Sequence, residues 1–280
     1  MHPTVRQDIE GPLPEGLGQA IRDTAGDIAA LLRNVSDSGA AVPNSQWTIG
    51  EAAAHLALAN ELMADLVLGR ERPYGDGTPQ SLATANEESL AAFEERRAQP
   101  LAAMIIEQAE VFLEAVERTG AQADGGADSR PLLTPLGPLD QATLASYLLT
   151  HMLGHGYDLA RAVGRPHMID RDRVGLCVPF MLQVMPRVAD TAAISGLTAR
   201  YAIRLRGGAT IGVALSDGTV RVTPGRPDSP DCTILIEPVT FLLIALGRRN
   251  PYGAMARGQV LAWGRKPWLA PRFPNLFIAP

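Results

Sequence analysis

The hydrophobic period changes once along this chain, and that change limits what it can fold into. Up to about residue 165 the apolar residues recur at helical spacing; from Tyr201 they alternate. In "LGQAIRDTAGDIAALLRNV", Leu17, Ile21, Ile28, Leu31 and Leu32 lie near helical spacing, weakened by Gly18 and Gly26. In "RYAIRLRGGATIGVALSDGTVRV", Tyr201, Ile203 and Leu205 share one face, and Ile211, Val213 and Leu215 repeat the pattern. Ser216-Asp217-Gly218 then turns the chain into Val220 and Val222. Helices first and strands afterwards read as an α+β chain, with a helical bundle followed by a small antiparallel sheet. We expect two domains, residues 1–165 and 166–280.

Local signals place the elements. Thr48 and Glu51 form a T-x-x-E capping box, so a helix is predicted from there to Gly69. "RERPYGDGTP" reads as a loop. A third helix is predicted over 81–97, separated by Pro100 from a fourth over 101–119. The Gly, Asp and Pro content of residues 120–137 predicts an exposed connection with little regular structure. A further helix over 140–163 should be stopped by Gly164 and Pro166. Beyond it come a helical segment over 171–194, the alternating strands, the strand "CTILIEP", and a helix from Pro238 to Leu246. "GQVLAWG" follows as a short strand or turn, and a last helix is predicted from Pro267.

Composition excludes several function classes. A net charge of −5 gives the whole chain no electrostatic footprint for nucleic acid or an anionic membrane. No apolar run is long enough to cross a bilayer, and "MHPTVRQDIEGPLPEG" has no signal-peptide pattern. Cys177 and Cys232 stand far apart, as two reduced, buried thiols of a cytoplasmic protein would.

The chemistry concentrates on histidine. Of five, His151 and His155 are four residues apart on one helix, along the stripe of Leu144, Leu148, Leu159 and Ala162. His55 falls on the inward stripe of the capped helix, with Ala52, Leu56, Ala59, Met63 and Leu66. A buried neutral imidazole needs a partner for each ring nitrogen. A metal ion would accept one nitrogen from each of three, and bundle cores build metal sites in this way. The same spacing suits core histidines bonded to backbone groups, so spacing leaves both readings open. His2 and His167 fall in loops and read as exposed.

The segment "WTIGEAAAHLA" (47–57) resembles the opening of DinB-like four-helix bundles, in which a Trp-Thr pair precedes a helix carrying a metal-binding histidine. "HMLGHGYDLARAVGRP" resembles the E-x-x-x-H-x-x-D-L-x-x-A-x-G segment of the mycothiol-dependent maleylpyruvate isomerase family, matching at His155, Asp158, Ala162 and Gly164. "DCTILIEPVTFLLIALGRRNPYGAMARGQVLAWG" resembles the sterol-carrier-like domain fused behind that bundle. The resemblance implies a divalent metal held by His55, His151 and His155, with zinc ahead of nickel or iron. It also implies mycothiol as a thiol cosubstrate and a small electrophile as its target. Asp158 would orient a metal-bound histidine, and Arg248 would recognise a carboxylate. Where the isomerase has glutamate this chain has His151, so the site would be one charge more positive and the substrate is left open. A single lysine, Lys266, among many arginines fits a GC-rich, actinobacterial genome. The rival reading is a carrier whose C-terminal domain binds a lipid or hydrophobic metabolite, the bundle keeping a structural metal.

Overall fold

The computed structural model describes residues 13–70, 72, 74–76, 81–123 and 131–278. The chain divides into two compact units, residues 1–168 and 169–280. The first holds helices α1 (Leu17–Leu32), α2 (Ile49–Val67), α3 (Leu82–Ala92), α4 (Ala98–Ala123) and α5 (Gln141–Ala162). Helices α1, α2, α4 and α5 form a four-helix bundle, each packed against two of the others, and α3 lies against α2.

The ends of the two helices that carry histidines are fixed by side chains. At α2 the capping box is complete: Thr48 Oγ1 accepts from the Glu51 backbone N–H at 3.2 Å, and the Glu51 carboxylate accepts from the Thr48 N–H at 2.8 Å. At α5, Asp140 accepts from the Thr143 N–H at 2.7 Å. Gly164, at φ 65°, ends that helix, where the Arg165 N–H reaches back to the Ala160 carbonyl. The start of α2 also needs glycine at position 50. A Cβ there would lie 2.5 Å from the Arg96 carbonyl oxygen and 3.2 Å from that of Ser38.

Two predicted boundaries move. The third helix stops at Ala92, because Phe93 turns extended and Arg96 donates to the Leu90 and Phe93 carbonyls, closing the helix end. The fourth begins at Ala98 and contains Pro100, since a helix's first turn leaves its N–H groups unused. Residues 124–130 lie outside the described residues, but the rest of the expected open connection is more regular than predicted. Residues 120–123 continue α4, and β1 (Leu132–Thr134) and β2 (Gly137–Leu139) form an antiparallel hairpin. The Thr134 hydroxyl holds its turn, donating to the Gly137 carbonyl and accepting from the Leu136 N–H.

The second unit contains α6 (Arg171–Val184), α7 (Thr191–Ile194), α8 (Pro238–Ala245) and α9 (Pro251–Ala256). Its sheet comprises β3 (Ala199–Leu205), β4 (Thr210–Ser216), β5 (Thr219–Pro224), β6 (Cys232–Ile236) and β7 (Val260–Trp263), in the order β5-β4-β3-β6-β7. The alternation holds: Tyr201, Ile203, Leu205, Ile211, Val213 and Leu215 are all buried. Three of the four strand pairings are antiparallel; β3 and β6 are parallel, so the sheet is mixed rather than wholly antiparallel. The chain leaves edge strand β5 and crosses to the far side of β3. Gly212 makes room for that crossing, since a Cβ there would lie 3.1 Å from the Gly225 carbonyl oxygen and 3.2 Å from Pro227. The segment predicted as one helix over 171–194 breaks at Pro186 into α6, a 3₁₀ turn and α7. Residues 267–276 form a 3₁₀ helix, because Pro271 and Pro274 remove the donors an α-helix would need. No described helix is long and apolar enough to cross a membrane.

Candidate metal centre

Helices α2 and α5 bring together three histidines that are distant in sequence. One ligand nitrogen from each of His55, His151 and His155 lies within 4.8 Å of the others. The Nε2 atoms of His55 and His151 are 3.0 Å apart across 96 residues of chain. The three rings meet with centroids 4.5–5.0 Å apart and at steep angles, as groups aimed at one point do, rather than stacked. At about 2.0–2.1 Å per imidazole nitrogen, neighbouring ligands on a tetrahedral to octahedral ion sit roughly 2.9–3.4 Å apart. The closest pair falls in that range, and a three-nitrogen set suits a borderline divalent ion. The donor set therefore fits a metal.

Burial tunes the donors. His55 is buried, and desolvation lowers its pKa to about 4, so it stays neutral and keeps a lone pair at neutral pH. His151 and His155 are half-buried. Together with Tyr147 and Asp158 they form a polar strip along α5, at positions spaced by three and four residues. Asp158 Oδ2 lies 3.8 Å from His155 Nδ1, beyond hydrogen-bond distance for that pair of atoms. Burial, with a smaller contribution from Tyr74, holds the Tyr147 phenol well above its usual range, so it keeps its proton.

Two aromatic side chains border the cluster. Trp47, just before the α2 cap, sits against His55 at 4.7 Å and His155 at 5.8 Å between ring centroids. The backbone turn at 42–47 holds it there, with the Val42 N–H donating to the Trp47 carbonyl. Tyr147 meets the His151 ring edge-on at 6.2 Å. In the sequence Trp47 stands out only through the Trp-Thr pair before the helix, and Tyr147 goes unnoticed. The signal for Tyr147 is its place four residues before His151, which continues the 147–151–155 row.

The remaining sequence candidates sit on their own elements. Arg248 is in the second unit, just past the end of α8, where its guanidinium donates to the Leu246 carbonyl. An arginine is favourable at a helix C-terminus. His167 is in a loop and half-buried against Tyr157, rather than exposed. His2 lies outside the described residues. Cys177 and Cys232 are both free and buried.

Comparison with known proteins adds to this geometry. Residues 21–160 match the family model of the mycothiol maleylpyruvate isomerase N-terminal domain, and residues 182–264 match the SCP-2 sterol transfer family. Among solved structures, a histidine-to-alanine mutant of the mycothiol-dependent maleylpyruvate isomerase aligns with a TM-score of 0.50 at 14% identity. It covers 89% of this chain and 93% of that one, a likeness of fold. The unmutated isomerase aligns over the same shares, at 14% identity and a TM-score of 0.49. No curated protein matches the chain.

Proposed function

This chain belongs to the mycothiol maleylpyruvate isomerase N-terminal domain family, and from that membership we propose a metal- and thiol-dependent S-transferase or isomerase acting on a small electrophile. The observation that carries the proposal is the convergence of His55, His151 and His155. These three side chains would hold a divalent cation, zinc by preference. When bound, that cation supplies the positive charge that stabilises the thiolate form of a small thiol, here mycothiol.

The chain's own residues do the rest. His55, kept neutral by its burial, offers its lone pair without first losing a proton. Asp158 favours one orientation of the His155 ring. Trp47 covers the His55 and His155 rings and limits the water that reaches them. Tyr147 retains its phenolic proton and can donate a hydrogen bond to a substrate oxygen beside His151. Arg248, on the second unit, would recognise a carboxylate of the substrate or of the thiol. Two buried free thiols suit a reducing cytoplasm.

The test is metal content and thiol consumption measured on the same preparations. Purified full-length protein should carry about one divalent ion per chain and consume mycothiol with a model electrophile. His151→Ala should weaken metal binding by more than the roughly 10–100-fold expected for losing an outer-sphere partner, and lose thiol transfer with it. His151→Glu, which keeps a ligand at that position, should retain the ion. A His151→Ala protein that keeps both metal and activity would sink the reading. A loaded protein that consumes no thiol with any electrophile would favour the carrier.

A further inference from the structure

The overall charge of −5 conceals two opposite halves. Residues 1–168 carry 11 basic and 23 acidic residues, a net of −12; residues 169–280 carry 14 basic and 7 acidic, a net of +7. After Glu237 there is no acidic residue, while Arg248, Arg249, Arg257, Arg265, Lys266 and Arg272 follow.

The sheet of the second unit gives this charge a surface. Its inner face is the buried core already described. On the outer face, the register places Arg221, Ala214 and Arg200 in one row. Arg204, Leu235 and Leu261 lie in another, and Thr233 and Trp263 in a third. Arg200, Arg204 and Arg221 are exposed. Leu261 is 48% exposed and Trp263 43%, although both belong to a regular strand. Trp268, five residues on, is 65% exposed, and Arg265 and Lys266, between the two tryptophans, are ion-paired with Asp231, so the cations of this face are Arg200, Arg204 and Arg221. Most sheets bury large apolar groups on their inner face and leave the outer face polar. Here one end of the outer face is apolar and aromatic and the exposed arginines lie on β3 and β5, while the crossover at Gly225 and Pro227 passes over Gly212, where Ala202 and Thr233 are buried.

We propose that this face is a docking surface for an anionic lipid bilayer. The charge is complementary: the cations would lie among lipid headgroups, each worth about 1 kcal/mol close to an anionic surface. Trp263 and Leu261 would enter the interface, the zone tryptophan prefers. Attachment is peripheral, in keeping with the absence of a spanning helix among the described residues. The same face of a second copy is a poorer occupant, since two like-charged faces would repel. Trp263 and Trp268 could also stack on bases, so nucleic acid is the occupant that oligonucleotide competition must exclude; exposed Leu261 beside Trp263 is an apolar contact that suits acyl chains and not a base.

Sedimentation of the full-length protein with vesicles tests the proposal. It should pellet with mixed phosphatidylglycerol–phosphatidylcholine vesicles at low salt, stay in solution with pure phosphatidylcholine, and be released by raised salt. The triple variant R200Q/R204Q/R221Q should lower partitioning on the order of a hundredfold, as the loss of three surface cations implies. L261S/W263S should weaken binding at both salt concentrations. Unchanged metal content and thermal midpoint would show that the variants fold, and the salt series on the unaltered chain tests the surface without any substitution. The proposal is overturned if the protein fails to pellet with anionic vesicles, if it binds neutral vesicles equally, or if both variants bind like the parent. It is also overturned if a single-stranded oligonucleotide displaces it from the vesicles, which would assign the face to nucleic acid.

Discussion

Gly50→Ala and Gly26→Ala make the same chemical change inside two helices, and the structure gives them opposite signs. At Gly26, on α1, an added Cβ meets nothing within 4 Å. There alanine only restricts the unfolded chain and favours the helix, a gain of roughly 0.5–1 kcal/mol. At Gly50 the same methyl would lie 2.5 Å from the Arg96 carbonyl oxygen and 3.2 Å from the Arg96 Cβ. The nearest of these is backbone, so α2 or the segment before α4 must move. Overpacking of that kind costs roughly 1–3 kcal/mol. The helix start also fixes His55 five residues on, so the displacement should reach the histidine cluster. Thermal unfolding by circular dichroism, run with and without added zinc, reads both effects. Gly26→Ala should raise the midpoint and leave metal affinity unchanged; Gly50→Ala should lower the midpoint and weaken metal binding. A Gly50→Ala protein as stable as its parent, with unaltered affinity, would refute the claim that the α2 start is closely packed.

Acid should act through His55 in the metal-free protein. Its folded pKa, about 4, lies below that of the unfolded chain, so unfolding takes up a proton. Stability is then complete above about pH 6.5 and falls by roughly 3 kcal/mol as the pH drops toward 4. Urea midpoints of EDTA-treated protein across that window should show the slope, and His55→Phe should flatten it. In the second unit, burial alone would raise the Asp231 pKa, but the Arg200 backbone N–H and the Lys266 and Arg265 cations outweigh it and hold its carboxyl below the ordinary range. Its contribution is present above that range and lost as pH falls through it. Asp231→Asn should therefore cost roughly 1–2 kcal/mol at pH 7, and the difference from the parent should shrink as the pH falls through and below the ordinary carboxylate range in the same urea titrations.

The sequence made some features legible for physical reasons. The Thr48–Glu51 box and the Gly164 stop are short-range devices, visible without knowing what the helices touch. The alternation through Tyr201 and Val213 was readable because one face of that sheet is buried and the other is not. The parallel β3–β6 pairing was hidden, because a crossover depends on where a loop passes, and only Gly212 marks its path. Periodicity put His55 on an inward stripe of α2 but could not single that face out from the others. Fifteen of the nineteen residues of that helix are buried, so every face looks apolar. The contact of Trp47 with His155 was hidden, because α5 lies about a hundred residues further along the chain.

The burial of α2 on nearly all sides also bears on synthesis of the chain. Its apolar surface is complete by residue 67, but α5, one of its covering helices, ends only at residue 162. At roughly 5–20 residues per second of translation, that leaves an interval of about 5–20 s in which the helix has emerged without its final cover. During that time the nascent chain carries an Ala- and Leu-rich helix with no complete partner, and His55 has no second histidine to face. A chain released before α5 is made would be a substrate for holdase chaperones or for aggregation.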